Sequence, residues 1–112
     1  MPVNRIIGTT IETNRIIPNI SLAPIPEERK NAMKLITGRK FVTIEPVLDF
    51  CVDILADWIK DIKPTFINIG ADSKNHGLPE PTMEKIMELV EKIKDTGIEL
   101  IKKSNLQRLL PK

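Results

Sequence analysis

Four short β-branched runs alternate with three amphipathic runs along 112 residues, and this order constrains the fold more than any other feature of the chain. Parallel strands cannot be joined by a tight turn; they need a crossover, and the usual crossover is a helix. Strands are predicted at Arg5–Thr13, Lys40–Glu45, Thr65–Ala71 and Ile98–Lys102. Helices are predicted between them at Glu27–Thr37, Val52–Ile62 and Thr82–Asp95. Pro26 and Gly38 frame the first helix, Pro64 follows the second, and Gly97 stops the third. Pro18, Pro24 and Pro26 make residues 14–26 an irregular connection. The expected fold class is α/β, with parallel β-α repeats in a single domain over residues 1–112.

Each helix carries an apolar side. Met33, Leu35 and Ile36 supply it in the first helix. Ile54, Leu55, Trp58, Ile59 and Ile62 recur at spacings of three and four in the second. Met83, Ile86, Met87, Val90 and Ile93 do the same in the third. Trp58 and the two methionines are expected to fill the core.

Strand alternation separates two kinds of face. Val42 and Ile44 share one face of the second strand, while Phe41, Thr43 and Glu45 share the other. In the third strand Ile67 and Ile69 oppose Phe66, Asn68 and Gly70. In the first, Ile7 and Ile11 oppose Ile6, Gly8, Thr10 and Glu12. One face is thus aliphatic, and the other runs through small and polar residues to a carboxylate at the carboxyl end. An open doubly wound sheet has helices on both sides and two aliphatic faces. A polar face with carboxyl-end carboxylates suits the inside of a (β/α) barrel. A full barrel takes roughly 200–250 residues, so the expectation is a (β/α)4 half-barrel, a partial TIM-like barrel. Such a half leaves two strand edges and an inner face uncovered. The expected partner is therefore a second copy in a homo-oligomer or a missing amino-terminal half-barrel. An independent small sheet, covered by the proline-rich residues 14–26, is the alternative.

The rest of the composition narrows the function by exclusion. The formal charge is +2, with acids and bases interleaved, so no nucleic-acid partner is indicated. No run of about 18 apolar residues occurs, so no membrane span is expected. The first residues lack the signal-peptide pattern, which makes a cytoplasmic location the default expectation. Cys51 and His76 are the one cysteine and the one histidine. They leave no internal disulfide, no cysteine metal cluster and no His-rich metal site.

The segments "GTTIETN", "FVTIEPVLDF", "KPTFINIGADSKNHGLPEP" and "IKKSNLQRLL" stand in this order over about residues 4–110. Together they resemble the carboxyl-terminal half of radical S-adenosylmethionine-type part-barrels, and in particular a phage-associated, radical-SAM-like group. Thr43-Ile44-Glu45-Pro46 and the stretch Asn68–Pro81 carry the likeness most specifically. The resemblance implies S-adenosylmethionine as the cofactor. It puts Glu12 and Asn14 near the ribose and Glu45 near the reaction chamber. It puts Asn68, Asp72 and Ser73 near adenine or substrate, with Lys102 or Lys103 as a positive charge at the end of the fourth strand. Radical enzymes of this type hold a 4Fe–4S cluster on three cysteines after the first barrel strand. Cys51 alone cannot hold one, and it follows the second strand. No iron–sulfur cluster and no independent catalysis are therefore expected of this chain alone.

Two other functions fit the same residues. One is a self-assembling module that binds a small polar ligand or a cation through Glu12, Glu45 and Asp72. The other is a metal-dependent or general acid–base enzyme using Glu12 and Glu45 as paired carboxylates. The loop "DSKNHGLPEP" is either a substrate loop or a turn built by Gly77, Pro79 and Pro81. The basic tail from Lys102 onward is expected to be solvated.

Overall fold

A computed structural model describes residues 6–15, 25–71 and 79–109. The elements are β1 (Ile7–Thr10), α1 (Pro26–Leu35), β2 (Lys40–Ile44), α2 (Val52–Ile62), β3 (Phe66–Ile69), α3 (Met83–Thr96) and β4 (Glu99–Lys102), followed by a 3-10 segment at Ser104–Leu109. The expected order is present, with shorter strands. The four strands form one sheet in the order β1-β2-β3-β4, every pair parallel.

A consecutive order means that each crossover steps to the next strand in the same direction. Crossovers of one hand then place all their helices on one side of the sheet. Accordingly α1 packs beside α2, and α2 beside α3. Val42, Ile44, Ile67 and Ile69 point to that side and are fully buried against Leu55, Ile59, Ile62, Ile86, Leu89 and Ile93. Each such side chain contributes about 1.5–3 kcal/mol through burial. The sheet is not closed: β1 and β4 are its edges. This is the arrangement of half a (β/α)8 barrel.

Local chemistry sets the element ends. Pro26 opens α1. The helix stops at Leu35, two residues before the expected end, because Ile36 turns to extended backbone. Lys40, at the start of β2, donates from Nζ to the Met33 carbonyl at 2.9 Å and the Ile36 carbonyl at 2.8 Å. A buried ammonium thus satisfies carbonyls at the helix end, where the helix dipole favours positive charge. Lys63 ends α2 in the left-handed region, and Pro64 follows. The Thr82 side chain accepts from Lys85 N at the start of α3.

Several apolar expectations change. Trp58 is buried as predicted, but Met83 and Met87 are exposed rather than core filling. Met87 lines a cleft with Lys102 at the end of β4, and no further α-helix follows β4 among the described residues. Ile54 and Leu35 are also exposed, so the buried stripes of α1 and α2 are narrower than their apolar content suggests. The tail differs too. Leu106 is fully buried, and the 3-10 segment folds onto the core. Among the described residues no helix is long and apolar enough to cross a membrane.

Candidate functional site on the sheet face away from the helices

The face of the sheet away from the helices is built in levels. Strand pairing aligns Gly8, Phe41, Phe66 and Glu99 at the lowest level. Thr10, Thr43, Asn68 and Ile101 form the next. By the same alternation Glu12, Glu45, Gly70 and Lys103 stand at the carboxyl end. The lowest level is an aromatic floor. The Phe41 and Phe66 rings stack with centroids 5.0 Å apart and planes 1° from parallel. Gly8 makes room for this, since a Cβ there would lie 2.2 Å from the Phe41 ring.

The top level holds a connected polar group. The Glu45–Pro46 peptide bond is cis. Glu45 Oε1 accepts from Lys103 Nζ at 2.6 Å, and Oε2 accepts from Asn105 Nδ2 at 2.7 Å. Asn105 Oδ1 in turn accepts from Ala71 N at 3.1 Å. Burial pushes the Glu45 carboxyl up. Hydrogen bonds from Lys103 and Asn105, with the Lys103 charge, outweigh that and hold it below the usual carboxylate range. Two strands and the segment after β4 thus converge on one ionised carboxylate.

Glu12 takes a different partner. Arg29, from α1, places a guanidinium nitrogen 2.9 Å from Glu12 Oε1 and also donates to the Thr10 carbonyl. Glu12 Oε1 is shielded from solvent and forms no well-aligned hydrogen bond. We read the contact as an ion pair of poor hydrogen-bond geometry, because the distance is short and both side chains are mostly buried.

Asn14 belongs to a second cluster. Its Oδ1 accepts from Cys51 N at 2.7 Å, at the start of α2. Beside it Asp49 accepts from Arg15 NH1 and from Lys85 Nζ, each at 2.8 Å. Lys85 Nζ also donates to the Phe50 carbonyl, and Thr13 Oγ1 to the Asp49 carbonyl. The Lys85 hydrogen bond is the chief reason that the Asp49 carboxyl is held below its usual range, against a burial effect of opposite sign. Arg15 NH2 reaches Cys51 Sγ at 3.4 Å, and this contact, with Asn14, lowers the thiol pKa. The cluster fastens the segment after β1, the β2–α2 connection and α3 together.

Of the residues singled out from sequence, Glu45 and Lys103 come together. Asn68 shares their face, one level below. Glu12 is engaged by Arg29, and Asn14 serves the α2 start. Asp72 and Ser73 lie outside the described residues, as does His76. Sequence reasoning missed Asn105, Arg29, Asp49, Arg15 and Lys85. Asn105 lay in a tail expected to be solvated, and ion-pair partners 17 to 36 residues apart, from Arg29–Glu12 to Lys85–Asp49, leave no local pattern. Among the described residues no group of three His, Cys, Asp or Glu side chains could hold a metal ion. Two clefts open elsewhere. One of about 190 Å³ runs between Met87, Val90, Glu91, Lys94 and Lys102, and one of about 100 Å³ is lined by Asn14, Arg15 and Ile25–Glu27.

No family model matches the chain, and no solved structure matches it. Protein disulfide-isomerase A4 of Bos taurus is 25% identical to it over 73 residues, which cover 61% of this chain and 11% of that protein. The chain therefore spans about a tenth of the length of the curated relative it matches. An internal disulfide needs two thiols, and Cys51 is the one cysteine in the sequence.

Proposed function

We propose that this chain is a radical-SAM-like half-barrel without catalysis of its own, and that the sheet face away from its helices forms one wall of a chamber for S-adenosylmethionine. The observation that carries this reading is the ionised Glu45, fixed by Lys103 and Asn105 at the carboxyl end of that face. Functional groups of (β/α) barrels gather at this end. A fixed carboxylate accepts from hydroxyl or ammonium groups, Lys103 donates to a carboxylate, and Asn68 below them offers both an acceptor and donors. These residue types suit the hydroxyls, amine and carboxylate of S-adenosylmethionine. When bound beside a reducing cluster, that cofactor supplies a carbon radical. The donor set for such a cluster does not fit this chain, because it has a single cysteine. Radical chemistry would belong to an assembly in which an amino-terminal half-barrel brings the cysteines and the opposite wall.

Calorimetric titration of the purified chain with S-adenosylmethionine tests the reading, alone and mixed with the polypeptide encoded immediately upstream. Binding, stronger in the mixture, is the expected result. An upstream frame with Cys-x3-Cys-x2-Cys is expected with it. Absence of binding in both titrations overturns the cofactor role. Sedimentation addresses the partner: a dimer formed by the chain alone favours closure by a second copy over a separate amino-terminal half.

A further inference from the structure

We propose that Asn105 is the positioning residue of the Glu45 carboxylate, and that Gly70 is the gap through which the two meet. The sequence gives neither residue a role, since they stand 35 positions apart on different segments. The structure brings them to one point above β3.

The argument starts from the amide. Ala71 N is a donor, so the side-chain oxygen of Asn105 must face it, and it does so at 3.1 Å. The amide nitrogen is then forced to the opposite side, where it meets Glu45 Oε2 at 2.7 Å. That nitrogen only donates, so it matches a charged carboxylate and not a protonated oxygen. Leu106, fully buried, anchors the 3-10 segment next to it. The segment therefore has an apolar anchor besides the two Asn105 hydrogen bonds. Gly70 completes the arrangement. A Cβ there would lie 2.5 Å from Asn105 Oδ1 and 3.0 Å from Glu45 Oε2. Contacts this close force one of the two side-chain ends to move, so a side chain at position 70 displaces the pairing.

The consequence is a choice of chemistry at Glu45. A carboxylate held by a donor on each oxygen stays ionised and accepts hydrogen bonds at neutral pH. It is a poor general acid. The ligand group it selects is therefore a donor, an ammonium or a hydroxyl. This last step rests on the chamber reading given above; the positioning of Glu45 does not.

Carbon-detected NMR titration of the Glu45 carboxyl tests the proposal in the wild type, Asn105→Ala, Asn105→Asp and Gly70→Ala, with S-adenosylmethionine affinity measured in parallel. The Glu45 midpoint is expected to rise by about 0.5–1 pH unit in Asn105→Ala and in Gly70→Ala. Asn105→Asp keeps the acceptor for Ala71 N and nearly the same shape, so it reports even where the other variants fold poorly. It is expected to raise the midpoint further, since two carboxylates then face each other. An unchanged midpoint in the variants that fold overturns the proposal. A raised midpoint in a chain whose wild type binds no S-adenosylmethionine supports the positioning role and refutes only the chamber reading. Binding by the wild type with an unmoved Glu45 midpoint does the reverse.

Discussion

Lys103 Nζ stands 2.6 Å from Glu45 Oε1, and the pair bridges two strands that are not neighbours. Adjacent strands lie about 4.8 Å apart, so β2 and β4 are separated by about 10 Å. Two long side chains meet over the strand between them, and they do so above Gly70, which has no side chain to obstruct them. The contact ties the carboxyl ends of β2 and β4 across β3.

Lys103→Met is expected to lower stability at pH 7 by about 0.5–1 kcal/mol, since the lysine is almost half exposed and solvent screens the pair. The pH dependence has a definite sign. The folded Glu45 pKa lies below its unfolded value. Its stabilisation is therefore complete above the ordinary carboxylate pKa of about 4.3 and disappears as pH falls through the lower folded value. Urea melts from pH 3 to pH 7 check this: the acid-side loss should be smaller in Lys103→Met than in the wild type.

Asp49→Ala is expected to cost more, about 1–3 kcal/mol, because it strands two cations and opens the fastening of the segment after β1, α3 and the β2–α2 connection. Asp49→Asn keeps the shape and removes the charge. The depressed folded pKa of Asp49 again gives stability that is lost on acidification. The asparagine variant should flatten that limb of the stability curve, as measured by denaturant melts at each pH.

Gly8→Ala is expected to destabilise by about 1–3 kcal/mol, because its methyl group would enter the Phe41 ring. The second variant, Phe41→Leu, removes the ring and loses the stack on Phe66, worth about 0.5–1.5 kcal/mol beyond its buried area. Thermal melts of both single variants and the double variant decide the mechanism. The double variant should be more stable than the sum of the two losses, because the clash disappears with the ring.

Cys51 should react with iodoacetamide faster at neutral pH than an unassisted thiol, because the Arg15 guanidinium favours its thiolate. Arg15→Gln is expected to move the alkylation profile to higher pH and to slow the reaction at pH 7 by about threefold or more. An identical profile in both proteins would show that the guanidinium has no hold on the sulfur.

The fold was readable because its signals are local. Alternation put Val42, Ile44, Ile67 and Ile69 on one face and Thr43, Glu45 and Asn68 on the other, and the sheet keeps that division. Helix spans were readable from Pro26, Pro64 and Gly97. Apolar content misled at Met87, Ile54 and Leu35, since periodicity says which residues share a helix face and not how wide a stripe the neighbours cover. The placing of the strand-end carboxylates and of Lys103 on one sheet face was readable. Their partners were not, because a side chain's partner depends on which distant segment arrives beside it.

The sequence by itself determined the parallel β-α order, the polar inner face, and the absence of cysteines for a cluster. Those follow from residue type and spacing along the chain. Only the tertiary structure decided that Glu12 belongs to Arg29, that Asn14 serves the start of α2, and that Glu45 is shared by Lys103 and Asn105. The physical reason is range. Backbone alternation acts over two residues, whereas a hydrogen bond between positions 45 and 105 exists only once three strands and the buried Leu106 have brought those positions together.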